Sequence, residues 1–370
     1  MEPWTKPDRP DARLEEYRSR FPAHVSRSEV RASDPRASRT AVRGALLLPP
    51  ALIATVAWSC LTFEVPFAVA LPSWLEAVRG LLVVALLFAA ILLWVFAWGL
   101  LSVPSDVRRA IAIRRFGERY GLVFQRLSSA PPPLGILFAE EADAAPRPPL
   151  TQLPAPASRF RAEFALSRGA LDDPALQIAV ATYTGGRNDP KAPRGTFRYL
   201  STRLPRRLPH LMIDSLSNGR LRTVLPGSQR LSLEGDVDRH FAVYVPKGYE
   251  RDALQLLTPD VLVCLIDHGR RWDIEVVDDR VVVASAASRR RSDRAEIPAL
   301  LRFAELLGAE LGYQATTYTD QRARDPRTQI AAAGLRLRRR SGVWVAVILA
   351  VVVAAMLAFP HILGLVLDNS

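Results

Sequence analysis

Between Leu231 and Asp252 the chain reads LSLEGDVDRHFAVYVPKGYERD, and Glu234, Asp236, Asp238 and His240 occupy alternate positions. In an unbroken strand, residues i, i+2, i+4 and i+6 share one face, so these groups would form a row of carboxylates ending in an imidazole. Such a row is raw material for metal-assisted hydrolysis or acid–base chemistry. Gly235 argues against it, because glycine weakens a strand and EGDVD has the composition of a turn between LSL and HFAVYV. The twelve-residue calcium-loop pattern with its closing glutamate is missing. The stretch therefore reads as carboxylates that solvate a turn and pair with Arg239 or Arg251. Asp236, Asp238 and His240 stay as weak catalytic candidates.

Other chemistry is thinner still. Cys264 and His268 are one helical turn apart, but a structural zinc site wants four ligands and no second Cys/His pair lies nearby. Gly185-Gly186 is not followed by the Lys-Ser/Thr of a phosphate loop. No G-x-S-x-G elbow and no H-E-x-x-H helix occurs. No metal and no cofactor is expected, and the balance leans against an enzyme.

The elements that would position these residues are organised by three apolar runs. Residues 44–63, 81–103 and 342–367 each carry no charge and are long enough to cross ~30 Å of hydrocarbon. None shows the polar stripe of a soluble amphipathic helix. Pro49 and Pro50 fall near the start of the first run, where missing amide donors cost least. The chain of 370 residues has a formal net charge of +12, and much of that surplus flanks the apolar runs. Arg39 and Arg43 precede the first; Arg108, Arg109, Arg114 and Arg115 follow the second; Arg336, Arg338, Arg339 and Arg340 precede the third. The connector 64–80 holds only Arg79 beside Glu64 and Glu76. This is the positive-inside pattern rather than a duplex-binding face, so no nucleic acid is expected as a partner. It predicts a multi-pass protein of the plasma membrane, with residues 1–43 and 104–341 cytoplasmic and the C-terminus outside.

Within 104–341, Ser105–Tyr120 reads as a basic amphipathic helix with Ser105 as its N-cap, lying near headgroups or continuing the span inward. Residues 129–156 are too proline-rich for a long helix and read as an extended connector, although the apolar insert Leu134–Phe138 points to local docking. Strand signals follow: RFRAEFALS, LQIAVATYT, TFRYLSTRL, HLMIDS, QRLSLEG and HFAVYV. Asn218-Gly219 marks a tight turn, and WDIEV and RVVVAS flank Asp278-Asp279 as a hairpin. Thr258-Pro259-Asp260 opens a helix closed at Gly269, and 297–311 forms a last amphipathic helix. The fold class is α+β: three transmembrane helices, with a mainly antiparallel-sheet cytoplasmic domain inserted between the second and third.

The block LSLEGDVDRHFAVYVPKGYERDALQLLTPDVLVCLID, followed by WDIEVVDDRVVVAS, resembles a family of uncharacterised actinobacterial integral membrane proteins. RYGLVFQR, PPLGILF, TYTGG and LPRRLPHLMIDS resemble the same family in the same order, so the likeness covers roughly residues 105–290. It implies spans near the N-terminus and a cytoplasmic α+β domain that begins near Ser105 and absorbs the proline-rich stretch. The third span departs from it, and no activity comes with it.

The expected function is a membrane-tethered recognition or regulatory module that binds a protein partner or anionic lipid headgroups. Membrane lipids would face Arg108, Arg109, Arg114, Arg115, Arg336, Arg338, Arg339 and Arg340. The alternative is a membrane-bound hydrolase or metal-dependent enzyme using Glu234–His240.

Overall fold

The structure, a computed structural model, describes residues 11–63, 65, 72, 78–129, 135–138, 160–183, 196–217, 225, 227–233, 236–285 and 293–337. The apolar run 342–367, Arg338–Arg340, Glu234, Gly185-Gly186 and Asn218-Gly219 lie outside the described residues. The chain divides into two compact units. One comprises Met1–Arg126 with Phe164–Arg168 and Ser292–Pro298, and the other comprises Leu127–Glu163, Gly169–Arg291 and Ala299–Ser370.

The first unit is built on two long helices. Helix α3 (Pro35–Phe63) and helix α4 (Arg79–Arg119) have 29 and 41 residues, and both are long and apolar enough to cross a membrane. They run antiparallel: Arg79 donates to the Leu61 carbonyl at 2.8 Å, and Trp94 Nε1 donates to the Thr55 hydroxyl at 3.0 Å. Their seam is made of small residues. Ala37, Gly44 and Ala51 recur every seven residues on α3, as do Ala90 and Ala97 on α4, and all are buried. A Cβ on Gly44 would stand 2.9 Å from Leu100 Cβ and 3.1 Å from the Ala97 carbonyl, so the backbones can approach this closely only at glycine.

Two expectations about these helices are corrected. Helix α3 begins at Pro35, where the Asp34 carboxylate accepts from the Arg36 and Ala37 amides. Pro49 and Pro50 are therefore interior, and their cost falls inside a helix held by its neighbour. Ser105 caps nothing: α4 runs straight through Pro104, and the Ser105 hydroxyl donates to the Ser102 carbonyl at 2.5 Å. At 1.5 Å per residue α4 is about 60 Å long, roughly twice the hydrocarbon thickness, so it continues well past any span.

Residues 12–33, expected only as a basic segment, form helices α1 (Ala12–Arg20) and α2 (Arg27–Ser33). Ser26 and Glu29 close a capping box at the start of α2. Tyr17, Phe21, Phe116 and Tyr120 stack with centroids 4.8–5.1 Å apart, and Val25, Val30, Ala37 and Val107 form an adjoining apolar cluster.

Seven strands form one sheet: β1 (Val123–Ser129), β2 (Phe160–Gly169), β3 (Pro174–Tyr183), β4 (Thr196–Ser215), β5 (Arg230–Leu231), β6 (Phe241–Tyr244) and β7 (Trp272–Ser285). The order is β1-β2-β3-β4-β6-β5, with β7 also on β4. The registered pairings β3–β4, β4–β6, β4–β7 and β5–β6 are all antiparallel, which bears out α+β with an antiparallel sheet. Helices α5 (Val237–His240), α6 (Glu250–Leu256), α7 (Pro259–Cys264) and α8 (Asp293–Thr317) complete the described α-helices. Helix α7 opens at Pro259 as expected, then passes into a π turn, Leu265–Gly269.

The hairpin at Asp278-Asp279 is the clearest correction. Strand β7 runs unbroken for 14 residues against β4, from Ile213↔Ile274 to Tyr199↔Ala284. Asp278 adopts φ 52 and lies opposite Leu208, where the register shifts: the turn-like pair is a bulge, matched on β4 by irregular residues 204–207. Likewise TFRYLSTRL and HLMIDS are two halves of the single 20-residue β4. Its first half pairs with β3, its second with β6, and β7 follows both.

Replacing Gly44 by valine should force α3 from α4 and cost about 1–3 kcal/mol. A thermal melt of the detergent-solubilised chain checks this, with Gly99→Ala, which meets nothing within 4 Å, as the control.

Candidate functional site

The alternating acids do not form a row. Asp236 precedes the short helix α5, so Val237–His240 project at helical rather than strand intervals. Asp238 turns back to accept from the Ser232 hydroxyl at 2.5 Å and the Leu233 amide at 3.1 Å. Asp236 pairs with Arg239 at 2.8 Å, both side chains well exposed. Burial, with the Arg270 charge, lowers the His240 pKa. The structure thus gives Asp236 and Asp238 different neighbours. Among the described residues, no three His, Cys, Asp or Glu side chains gather as a metal ion requires. Cys264 is buried, and burial pushes its thiol up to about 12, far from the range of a reactive thiolate.

Two of the basic residues after the second apolar run, Arg109 and Arg115, form ion pairs within their own unit, while Arg114 is exposed. Arg109 makes a two-pronged bond to Asp293 at 2.8 and 3.0 Å and lies 4.4 Å from the centre of the Phe164 ring. Arg115 donates to Glu29 at 2.6 Å, and that bond, with those from Ser26, holds the Glu29 carboxyl down at about 2. Arg114 stacks over Phe124. In the second unit, Arg336 pairs with Asp278 at 2.9 Å, which gives the bulge residue an ion-pair partner.

The most constructed polar site was not visible as a motif. Glu275 on β7 and His210 on β4 are both about 1% exposed. Met212 is the residue opposite Glu275, so His210 is its diagonal neighbour on the same face. His210 Nε2 meets Glu275 Oε1 at 2.7 Å, while Nδ1 accepts the Leu337 amide at 3.0 Å. Accepting at Nδ1 leaves Nε2 to carry the proton, so a neutral imidazole donates to the carboxylate. The same carboxylate accepts the Ile136 amide, through a short bond, and the Leu137 amide at 2.9 Å. Burial raises the Glu275 pKa, but the His210 bond and the two amides outweigh it, and the group lies below its usual range.

One buried anion therefore ties four segments together: both central strands, the apolar insert of the proline-rich stretch, and the segment that leads to residue 342. The docking expected of that insert is borne out. Ile136, Leu137 and Phe138 are buried, and Phe138 packs on Phe160, Phe197 and Tyr199 with centroids 5.0–5.3 Å away. Gly135 is obligatory, because a Cβ there would overlap the Glu275 carboxylate at 2.3 Å.

A second network fastens residues 318–334. Tyr249 donates to Asp320 at 2.7 Å, Tyr318 donates to Asp252 at 2.8 Å, and Arg322 bridges both carboxylates over the Tyr249 ring. Asp320 also accepts the Ala331 amide at 2.9 Å. A Cβ on Gly334 would meet Tyr249 Cζ at 2.4 Å, so the chain passes directly over that ring. Both networks are structural clamps in their geometry: every polar side chain named here bonds to protein.

No protein-family model and no curated protein matches the chain, so the family likeness rests on the sequence resemblance alone. Among solved structures the chain is similar to the mycobacterial trehalose monomycolate transport factor A, at 8% identity and a TM-score of 0.33, over 55% of this chain and 93% of that one.

Because the folded pKa of Glu275 lies below its reference value of 4.5, its stabilisation is complete above that pH and is lost as pH falls through the folded value. Glu275→Gln should cost about 2–4 kcal/mol at pH 7, since an amide cannot accept from all three donors at once. It should also flatten the fall in stability below pH 4.5. Denaturation against pH measures both, and hydrogen exchange should show the Ile136, Leu137 and Leu337 amides opening together in the variant.

Proposed function

We propose that this chain is an integral membrane protein that holds an α+β recognition module at the inner face of a bacterial plasma membrane. The observation that carries the reading is the outer surface of the α3–α4 hairpin. Ile53 is 69% exposed, Val95 62% and Trp98 76%, and Leu46, Phe88 and Leu92 are exposed beside them. So continuous an apolar surface on both helices needs hydrocarbon around it.

The arginine distribution supports the orientation: connector 64–80 outside, α1, α2 and the sheet inside, and 342–367 crossing again to leave the C-terminus outside. A protein partner or anionic headgroups would be recognised, each basic residue near the surface adding about 1 kcal/mol. The two clamps support a recognition role over a catalytic one, because their acids and tyrosines are spent on fixing backbone.

A membrane-impermeant maleimide tests the placement in intact cells. Val65→Cys in the connector should label, whereas Arg119→Cys at the far end of α4 should label only after lysis. The reverse pattern would invert the protein, and extraction by alkaline carbonate would remove the membrane reading.

A further inference from the structure

Two of the guanidinium groups after the second run are already held by carboxylates. Arg109 and Arg115 are committed to Asp293 and Glu29. On α3, by contrast, Arg36, Arg39 and Arg43 follow one another at i, i+3 and i+7, which places them along one flank of the helix, and all three are exposed. Among the described residues no carboxylate pairs with any of these guanidiniums. The nearest acid in sequence, Asp34, is engaged in capping α3.

The seam fixes the depth of this ladder. Ala37 clusters with Val107, and Gly44 lies against Ala97, Leu100 and Leu101. Arg43 is therefore level with Leu101 and Ser102, inside the stretch where α4 is still apolar. The first charge on α4 after its apolar run, the exposed Asp106, stands about four residues farther out, roughly 6 Å along the axis. Val42 and Leu46, the exposed neighbours of Arg43 on its own helix, are apolar. A guanidinium at that level has hydrocarbon below it and must extend outward to an anion. Arg39, one turn farther out, places a second planar fork in the direction in which Arg43 extends.

We infer that Arg39 and Arg43 form a binding site for the phosphate of an anionic phospholipid, with Arg36 completing its outer edge. The inference rests on the reading of α3 and α4 as membrane-crossing helices and deepens it by naming the lipid class and the residues. Guanidinium forks bind phosphate oxygens two at a time, which gives them an orientation that a lysine ammonium lacks. A phosphodiester at the boundary is the anion that the depth of Arg43 selects, because a free phosphate ion would have to leave water to reach it. An anionic headgroup adds no compensating cation of its own, unlike phosphatidylcholine.

The test uses the full chain in detergent, with native mass spectrometry of bound lipid and dioleoylphosphatidylglycerol and dioleoylphosphatidylcholine as competing probes. The wild type should retain phosphatidylglycerol at least about tenfold over phosphatidylcholine, unaffected by millimolar inorganic phosphate. The double variant Arg39→Gln, Arg43→Gln should lose most of that preference, whereas Arg114→Gln, Arg119→Gln, which removes the same charge from the far end of α4, should keep it. Arg39→Lys, Arg43→Lys, which keeps charge and fold, should fall between the wild type and the glutamine variant. Equal losses in both glutamine variants, a lysine variant equal to wild type, displacement by phosphate, or no preference in the wild type would each overturn the site. Carbonate extraction of the same proteins separates the two readings: a wild type that stays in the membrane yet shows no preference sinks this inference alone.

Discussion

The surface of the α3–α4 hairpin is the constraint on which the rest depends. Between the two apolar stretches the buried residues are small ones, Ala37, Gly44, Ala51, Ala54, Cys60, Ala90 and Ala97, while many of the large apolar residues are exposed. In water that arrangement would be unstable, because the apolar area left exposed far exceeds the area hidden between the helices. In hydrocarbon the balance reverses: large residues meet lipid, and close backbone packing together with the Trp94–Thr55 bond holds the pair. The small-residue seam and the oily exterior are one device.

The sheet unit solves a different problem, that of closing a long two-strand ladder whose sequence is interrupted. Pro205 and Pro209 interrupt β4, and Asp278 bends β7 at the same place. The bulge lets both strands continue instead of turning back, and Arg336 meets Asp278 there. Beyond it, His210 and Glu275 face inward and capture amides from two segments far apart in sequence. A buried carboxylate there accepts backbone amides directly, as a strand neighbour's carbonyl would.

Much of this was legible in advance, and the failures share a cause. The first two apolar runs were plain because composition alone marks them, as were the β-branched strands and the docking of Ile136–Phe138. Two helix starts were misplaced: Pro49-Pro50 suits a first turn, but the pair Asp34-Pro35 carries an earlier cap-and-proline signal for a helix that tolerates them. Asp278-Asp279 has hairpin composition because bulges and turns draw on the same residues able to adopt positive φ. Ser26 and Glu29 did carry a readable signal, the S-x-x-E spacing of a capping box, in a segment read only for its basic charge and its side of the membrane. Glu275 and His210 carried none. A single acid in a strand gains its meaning from a partner 65 residues away and from amides 138 and 139 residues away, which no local pattern encodes.

The most direct measurement is the environment of the hairpin surface. Nitroxide labels at Val95→Cys and Ile53→Cys, in a chain with Cys60 and Cys264 replaced by alanine and reconstituted into lipid bilayers, report collision with oxygen and with a water-soluble nickel chelate. The account predicts high oxygen and negligible nickel accessibility at both positions, and the opposite at Arg119→Cys. Strong nickel contact at Val95 and Ile53 would place those faces in water and contradict it.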